Sequence, residues 1–180
     1  MILPGVIASS GGVASSFESI ATTTVGSGGV ASVTFSSIPA TFAHLQIRIT
    51  LATGNTAGGN FFMSYNSDTT AANYVRHYLI GDGSTVNASG GDHPGAGTVV
   101  MYNPGGTYPS VAVIDQLDYA NTNKYKTLRS LQGQDSNGSG YVFYTSGLWM
   151  NTNAITSIKF AYVSGNIPQY SSFALYGVKA

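Results

Sequence analysis

Seven carboxylates, three histidines and no cysteine set the chemistry open to these 180 residues. Glycoside hydrolysis needs two carboxyl groups facing one bond. The carboxyl groups available are Glu18 and the aspartates Asp68, Asp82, Asp92, Asp115, Asp118 and Asp135. Asp68, Asp82, Asp92 and Asp135 stand among turn residues, where a short carboxylate bonds its own backbone. Asp115 and Asp118 share a strand-like segment, but three positions apart on a strand they leave opposite faces. Their expected partners are instead Lys124, Lys126 and Arg129, across a hairpin, as a structural ion-pair cluster.

Other chemistries lack an anchor. Without cysteine there is no disulfide framework, thiolate zinc site or cysteine nucleophile. No G-x-S-x-G elbow is present, and Ser139, between Gly138 and Gly140, reads as part of a turn. His44, His77 and His93 have no spacing that makes them converge on a metal. Asp92-His93 reads as a solvated loop pair. The run Asp135-Ser136-Asn137-Gly138-Ser139-Gly140 resembles the start of a calcium loop, but the twelfth position, where a bidentate glutamate belongs, is Ser146. No phosphate-binding G-x-x-x-x-G-K-[ST] loop occurs. The expectation is a protein with no catalytic residues, no cofactor and no metal.

Composition narrows the partners. Lys+Arg and Asp+Glu number 7 each, and only 8% of residues are charged. Nucleic-acid binding as a main task depends on clustered basic side chains, so it is not expected. No run approaches the ~18 apolar residues that span a bilayer, so no membrane is expected and the chain should be soluble. The start, MILPGVIASSGG, carries no Lys or Arg before its short apolar run and reads as an extended arm, not a signal peptide. The 12 Tyr, 8 Phe and single Trp, Trp149, argue against disorder. Trp149 is expected to fill the core or one end of it. Any exposed tyrosine patch is the first place to seek a glycan or a protein partner.

These residues must be held by strands, because the dominant period is two. Leu45, Ile47, Ile49 and Leu51 alternate with His44, Gln46, Arg48 and Thr50, which puts four aliphatics on one face of a strand. Phe61–Tyr65, Val111–Leu117, Tyr141–Trp149, Ile158–Tyr162 and Phe173–Val178 repeat the pattern. Further strands are expected near Phe17–Val25, Val30–Phe35, Tyr74–Ile80, Thr98–Tyr102 and Lys126–Leu131, ten or eleven in all. Turn signals separate them: Gly26-Ser27-Gly28-Gly29, Asp82-Gly83, Ser164-Gly165-Asn166, and Asn137-Gly138, the last suited to a type I′ hairpin. The best helical candidate is a single turn at Ser37–Phe42, limited by Pro39, and the stretch from Asn87 to Gly97 reads as a surface loop. The fold class is therefore all-β: an antiparallel two-sheet β-sandwich, jelly-roll-like, spanning residues 17–180 as one domain. Residues 1–16 form an extended N-terminal arm whose Ile2, Leu3, Pro4, Val6 and Ile7 pack along their own sandwich or on a neighbour.

Several stretches resemble a known family. Ser19-Ile20-Ala21-Thr22, Val33 to Pro39 and His44-Leu45-Gln46-Ile47-Arg48 resemble the opening of small virion structural proteins of tailed bacteriophages, most readily those of cyanophages. Leu117-Asp118-Tyr119-Ala120-Asn121-Thr122-Asn123-Lys124-Tyr125-Lys126-Thr127 is the most specific stretch. It continues through Arg129-Ser130-Leu131 to Asn137-Gly138-Ser139-Gly140, then Ser146-Gly147-Leu148-Trp149 and the ending Tyr170 to Lys179. The similarity runs from about Phe17 onward and implies a noncatalytic β-sandwich on the virus particle. The leading expectation is a capsid decoration, or cement, protein on the capsid exterior. It would be assembled in the host cytoplasm, bind the major capsid protein of the same virus, and form a homotrimer with Ile2, Leu3, Pro4, Val6 and Ile7 in contact. The alternative is a receptor- or carbohydrate-binding domain at a tail or fibre tip, with a surface glycan as ligand.

Overall fold

The computed structural model describes residues 15–54, 59–92, 97–102 and 107–179. Twelve strands occur among them: β1 Phe17–Thr24, β2 Ser32–Phe35, β3 His44–Leu51, β4 Phe61–Tyr65, β5 Tyr74–Gly81, β6 Val86–Asp92, β7 Thr98–Met101, β8 Ser110–Gln116, β9 Lys126–Asp135, β10 Gly140–Trp149, β11 Ile158–Tyr162 and β12 Ser172–Val178. A single 3₁₀ turn, Ala71–Asn73, precedes β5.

The strands form an eight-stranded sheet, β1-β12-β3-β8-β9-β10-β5-β6, and a four-stranded sheet, β2-β11-β4-β7. Setting β5, β6, β9 and β10 aside leaves β1-β12-β3-β8 facing β2-β11-β4-β7, which is the double Greek key of a jelly roll. The two extra hairpins interrupt the chain between β4 and β7 and between β8 and β11, and both extend the first sheet past β8. Every pairing of strands is antiparallel.

The period-two reading of β3 holds to the residue: Leu45, Ile47, Ile49 and Leu51 are all buried. They meet Phe173 and Leu175 of β12 on one side and Phe61, Met63 and Phe160 across the sandwich. The rings of Phe61 and Phe160 stack at 6.2 Å, and Phe173 lies 5.6 Å from Phe160. A second, smaller cluster of Phe62, Val99 and Phe143, with Tyr78 and Ile80 against it, fills the space under the extension. β7 is the edge of the small sheet, and its free backbone groups are met from β9. Ser130 Oγ donates to Val100 O at 2.7 Å, while the Gln132 amide accepts from Tyr102 N at 2.6 Å and donates to Tyr102 O at 3.1 Å. Ser130 and Gln132 are thus buried because they replace the strand that β7 lacks.

The Asn137-Gly138 hairpin forms as expected, with φ of 53° and 102° and Ser136 N–H bonded to Ser139 O at 2.7 Å. Two expectations are corrected. Ser37–Phe42 holds no helical turn: Ile38 N–H bonds Thr156 O at 3.0 Å, and Pro39 O accepts from the Tyr119 hydroxyl, so tertiary partners keep this backbone open. The stretch from Asn87 is not a loop throughout, since Val86–Asp92 is β6, the outermost strand of the large sheet, paired in full register with β5. Glycine is needed there. A Cβ on Gly90 would come within 2.2 Å of the His77 ring on the paired strand.

Candidate interaction surface

The carboxylates are positioned by turns and hairpins, and the structure gives those with described side chains local structural partners. Asp115 sits opposite Arg129 in the β8–β9 register; Arg129 Nε donates to its Oδ2 at 2.9 Å and Gln46 Nε2 to its Oδ1 at 3.0 Å. Asp118 lies in the following turn at φ 47°, not in the strand. It is bound by the Lys124 ammonium, which holds its carboxyl below the usual range, and its N–H donates to His44 Nδ1 at 3.0 Å. Asp115 and Asp118 therefore each answer their own cation, as the expected ion-pair cluster requires. Asp82 caps its turn through the backbone N–H groups of Thr85 and Ser84 and through their hydroxyls, which lowers its pKa. Asp135 accepts from Asn137 N at 2.9 Å inside the hairpin, so the calcium-like run is a turn. Glu18 pairs with Lys179 at 2.9 Å.

Two charged groups perform structural tasks that the sequence reading missed. Asp68, seen only as a turn residue, accepts from Trp149 Nε1 at 2.7 Å, Asn73 Nδ2 at 2.8 Å and Thr70 N at 2.9 Å. Burial pushes this carboxyl up, but the donors from Asn73, Trp149 and Thr70 together outweigh it and leave its pKa below the ordinary value. Trp149 is buried at this end of the core, tilted against Tyr65 at 5.2 Å. Lys126, expected to join the ion pairs, is buried instead. Its ammonium donates to the carbonyls of Asn121, Lys124 (2.9 Å) and Thr152 (3.0 Å), a cage that ties the loop after β8 to the loop after β10. Desolvation lowers its pKa, with the Lys124 charge adding to the effect.

Among the described residues no group of three His, Cys, Asp or Glu could hold a metal ion. His77 lies on β5 over Gly90. His93 lies outside the described residues, as do Ile2, Leu3, Pro4, Val6 and Ile7.

The outer face of the large sheet has the opposite character. Directly opposed residues share a face, so the registers place Val113, Leu131, Tyr144 and Leu79 in one row across four strands. The adjacent row is Val111, Gly133, Val142, Gly81 and Val86. Its seven large apolar side chains are exposed, from 42% for Tyr144 to 72% for Val86. Gly133 and Gly81 leave gaps between the valines, and a depression of about 770 Å³ opens along that row. This is a continuous apolar surface with knobs and holes, not scattered exposure. The flanking charges are largely spent on each other, as in Asp115–Arg129 and Asp118–Lys124.

The sequence carried a signal for this surface. In β8 and β10 both alternating phases are apolar: Val111 and Val113 against Ala112 and Ile114, Val142 and Tyr144 against Phe143. A strand with one face in water has no use for the second phase. Compared with known proteins, the chain matches no family model and no curated sequence.

Proposed function

We propose that this protein is a noncatalytic virion structural protein, a capsid decoration protein that binds the outside of a phage head and braces contacts between major capsid proteins. One observation carries the reading: the outer face of the large sheet offers apolar rows in strand register, flanked by the Asp115–Arg129 and Asp118–Lys124 pairs and by Arg48, which bonds Gln46 and lies over the Tyr176 ring. Such a face suits lasting adhesion to a protein surface better than exchange of a small charged ligand. Its size fits as well. The five strands that carry the apolar rows, at the ~4.8 Å inter-strand spacing and about 25 Å of strand length, present roughly 600 Å², the lower end of the ~600–1,000 Å² per partner of a standard stable interface. The resemblance to small phage virion proteins and the jelly-roll connectivity support the same reading.

The occupant of the face in this proposal is the major capsid protein of the same virus. Three copies assemble around a threefold position of the shell, and the segment Met1–Ser16 contacts a neighbouring copy or the shell through Ile2, Leu3, Pro4, Val6 and Ile7. Repetition around a symmetric shell multiplies modest contacts, because each bound copy raises the effective concentration for the next arm.

Copy number per purified particle tests the location. Hundreds of copies are expected, and a handful would overturn the head assignment in favour of a tail or fibre tip. Deleting residues 1–16 tests the arm separately: undiminished decoration of DNA-free shells by the truncated chain would refute its part.

A further inference from the structure

The inner side of the extension, away from the adhesive face, carries a cleft of about 410 Å³ bounded by β5, β6 and Tyr102. Its two walls differ in chemistry. One is aromatic: Tyr78, Tyr102 and Tyr141. Tyr102 is 38% exposed and held from three directions. Tyr141 meets its ring edge-on at 5.7 Å, Phe143 lies 5.7 Å away, and the Gln132 amide clamps its backbone on both N and O. Tyr78 is braced in turn by Phe143 at 5.3 Å and by the Arg76 guanidinium 4.9 Å from its ring centroid.

The other wall is polar. Asn87 and Ser89 of β6 face the same side as Ile80 and Tyr78, to which they are paired. Both are exposed, and neither side chain makes a hydrogen bond among the described residues. Asp82 adds a carboxylate whose Oδ2 accepts one bond, from Thr85 Oγ1, and so retains acceptor capacity.

Flat rings with one apolar face, set opposite an unspent amide, hydroxyl and carboxylate, match the two-sided chemistry of a sugar ring. A pyranose offers C–H groups on its face and vicinal hydroxyls at its edge, and Tyr supplies the apolar side with little entropy lost on binding. The volume falls within the ~300–1,000 Å³ of small-molecule sites. We propose that this cleft binds a neutral saccharide of one or two rings, stacked on Tyr102 and hydrogen-bonded at its edge by Asn87, Ser89 and Asp82. An acidic sugar is disfavoured because, among the described residues, the only charged side chain lining the cleft is Asp82. The cleft shares only Asp82 and Tyr141 with the depression on the shell-binding face, and Tyr102, Asn87 and Ser89 line the cleft alone, so either proposal can fail without the other.

Saturation-transfer NMR on the full chain tests it, with glucose, galactose, mannose, N-acetylglucosamine and their β-linked disaccharides at millimolar concentration. The expected result is transfer to the ring protons of at least one of these sugars, with a dissociation constant of order 1 mM. Two variants locate the site. Tyr102→Ala removes the platform and keeps the backbone clamp, and Asn87→Ala with Ser89→Ala removes the polar edge of an exposed strand. Each should weaken binding at least tenfold while preserving the dispersed methyl spectrum of the folded chain. Absence of transfer from the unmodified protein to every sugar tested overturns the proposal, as does binding that survives either variant.

Discussion

Replacing Leu131 by Asp would place a carboxylate in the middle of the outer apolar face. Leu131 is 53% exposed. A fully buried leucine contributes ~1.5–3 kcal/mol, so about half of that, roughly 1 kcal/mol, remains for a docking partner to gain. Leu131→Asp forfeits this gain and also requires a charged group to lose water or find a partner, at a cost of about 2 kcal/mol or more. Arg129, the nearest cation in the strand, is already held by Asp115. The sum, about 3 kcal/mol, corresponds to a loss in shell affinity of roughly 100-fold or greater. The isolated fold should barely notice, since an exposed strand Asp costs at most ~1 kcal/mol. The assay is quantitative co-sedimentation with DNA-free shells of the same virus, alongside thermal unfolding of the free protein. Lys159→Ser, on the outer side of the small sheet, serves as the control. Binding of Leu131→Asp within twofold of the unmodified protein would refute the reasoning, as would an equal loss in the control.

Three further outcomes follow from the interior. Lys126→Met keeps the aliphatic stem and removes the ammonium, leaving the carbonyls of Asn121, Lys124 and Thr152 without their donor; denaturant unfolding should register a loss of about 3 kcal/mol or more. Asp68 has a folded pKa below its ordinary value, so the unfolded chain binds this proton more readily. Its stabilisation is complete above about pH 4 and is lost as the pH falls through the lower folded value. Trp149 emission should therefore report acid unfolding that is steeper for the unmodified protein than for Asp68→Asn, and parallel curves would contradict this. Gly147→Ala adds a Cβ 2.4 Å from Thr98 Cγ2 and 3.1 Å from Leu128 Cγ; the overpacking should cost ~1–3 kcal/mol in thermal or chemical unfolding.

Strands whose two faces differ sharply were legible in the sequence. β3 was read to the residue because its apolar and polar phases are disjoint. β8 was located, but not its inward face. Its valines point outward while Ser110 and Gln116 go inside, Gln116 because its carbonyl accepts from the buried Tyr65 hydroxyl and its amide donates to Leu117 O and Thr127 O. β6 could not be seen locally. With Gly90 and Gly91 in it and few residues of high strand propensity, it is a strand only because β5 supplies its hydrogen bonds. Lys126 and Asp68 were misjudged for a related reason: beside its near neighbours each has one partner distant in sequence, Thr152 for Lys126 and Trp149 for Asp68, which composition and spacing do not bring together. The apolar outer face was visible as doubled hydrophobicity in β8 and β10. It becomes a surface only once the register aligns those strands.

The first and last strands of the sandwich are hydrogen-bonded neighbours, with Phe17 directly opposite Val178. Strand β1 therefore cannot take its place until the final residues of β12 have been synthesised, so this seam cannot close before residues 17–178 are all available. The same adjacency makes the domain suited to circular permutation. A short linker could join β12 to β1 while new ends open at the Asn137-Gly138 tip, far along the chain from that seam.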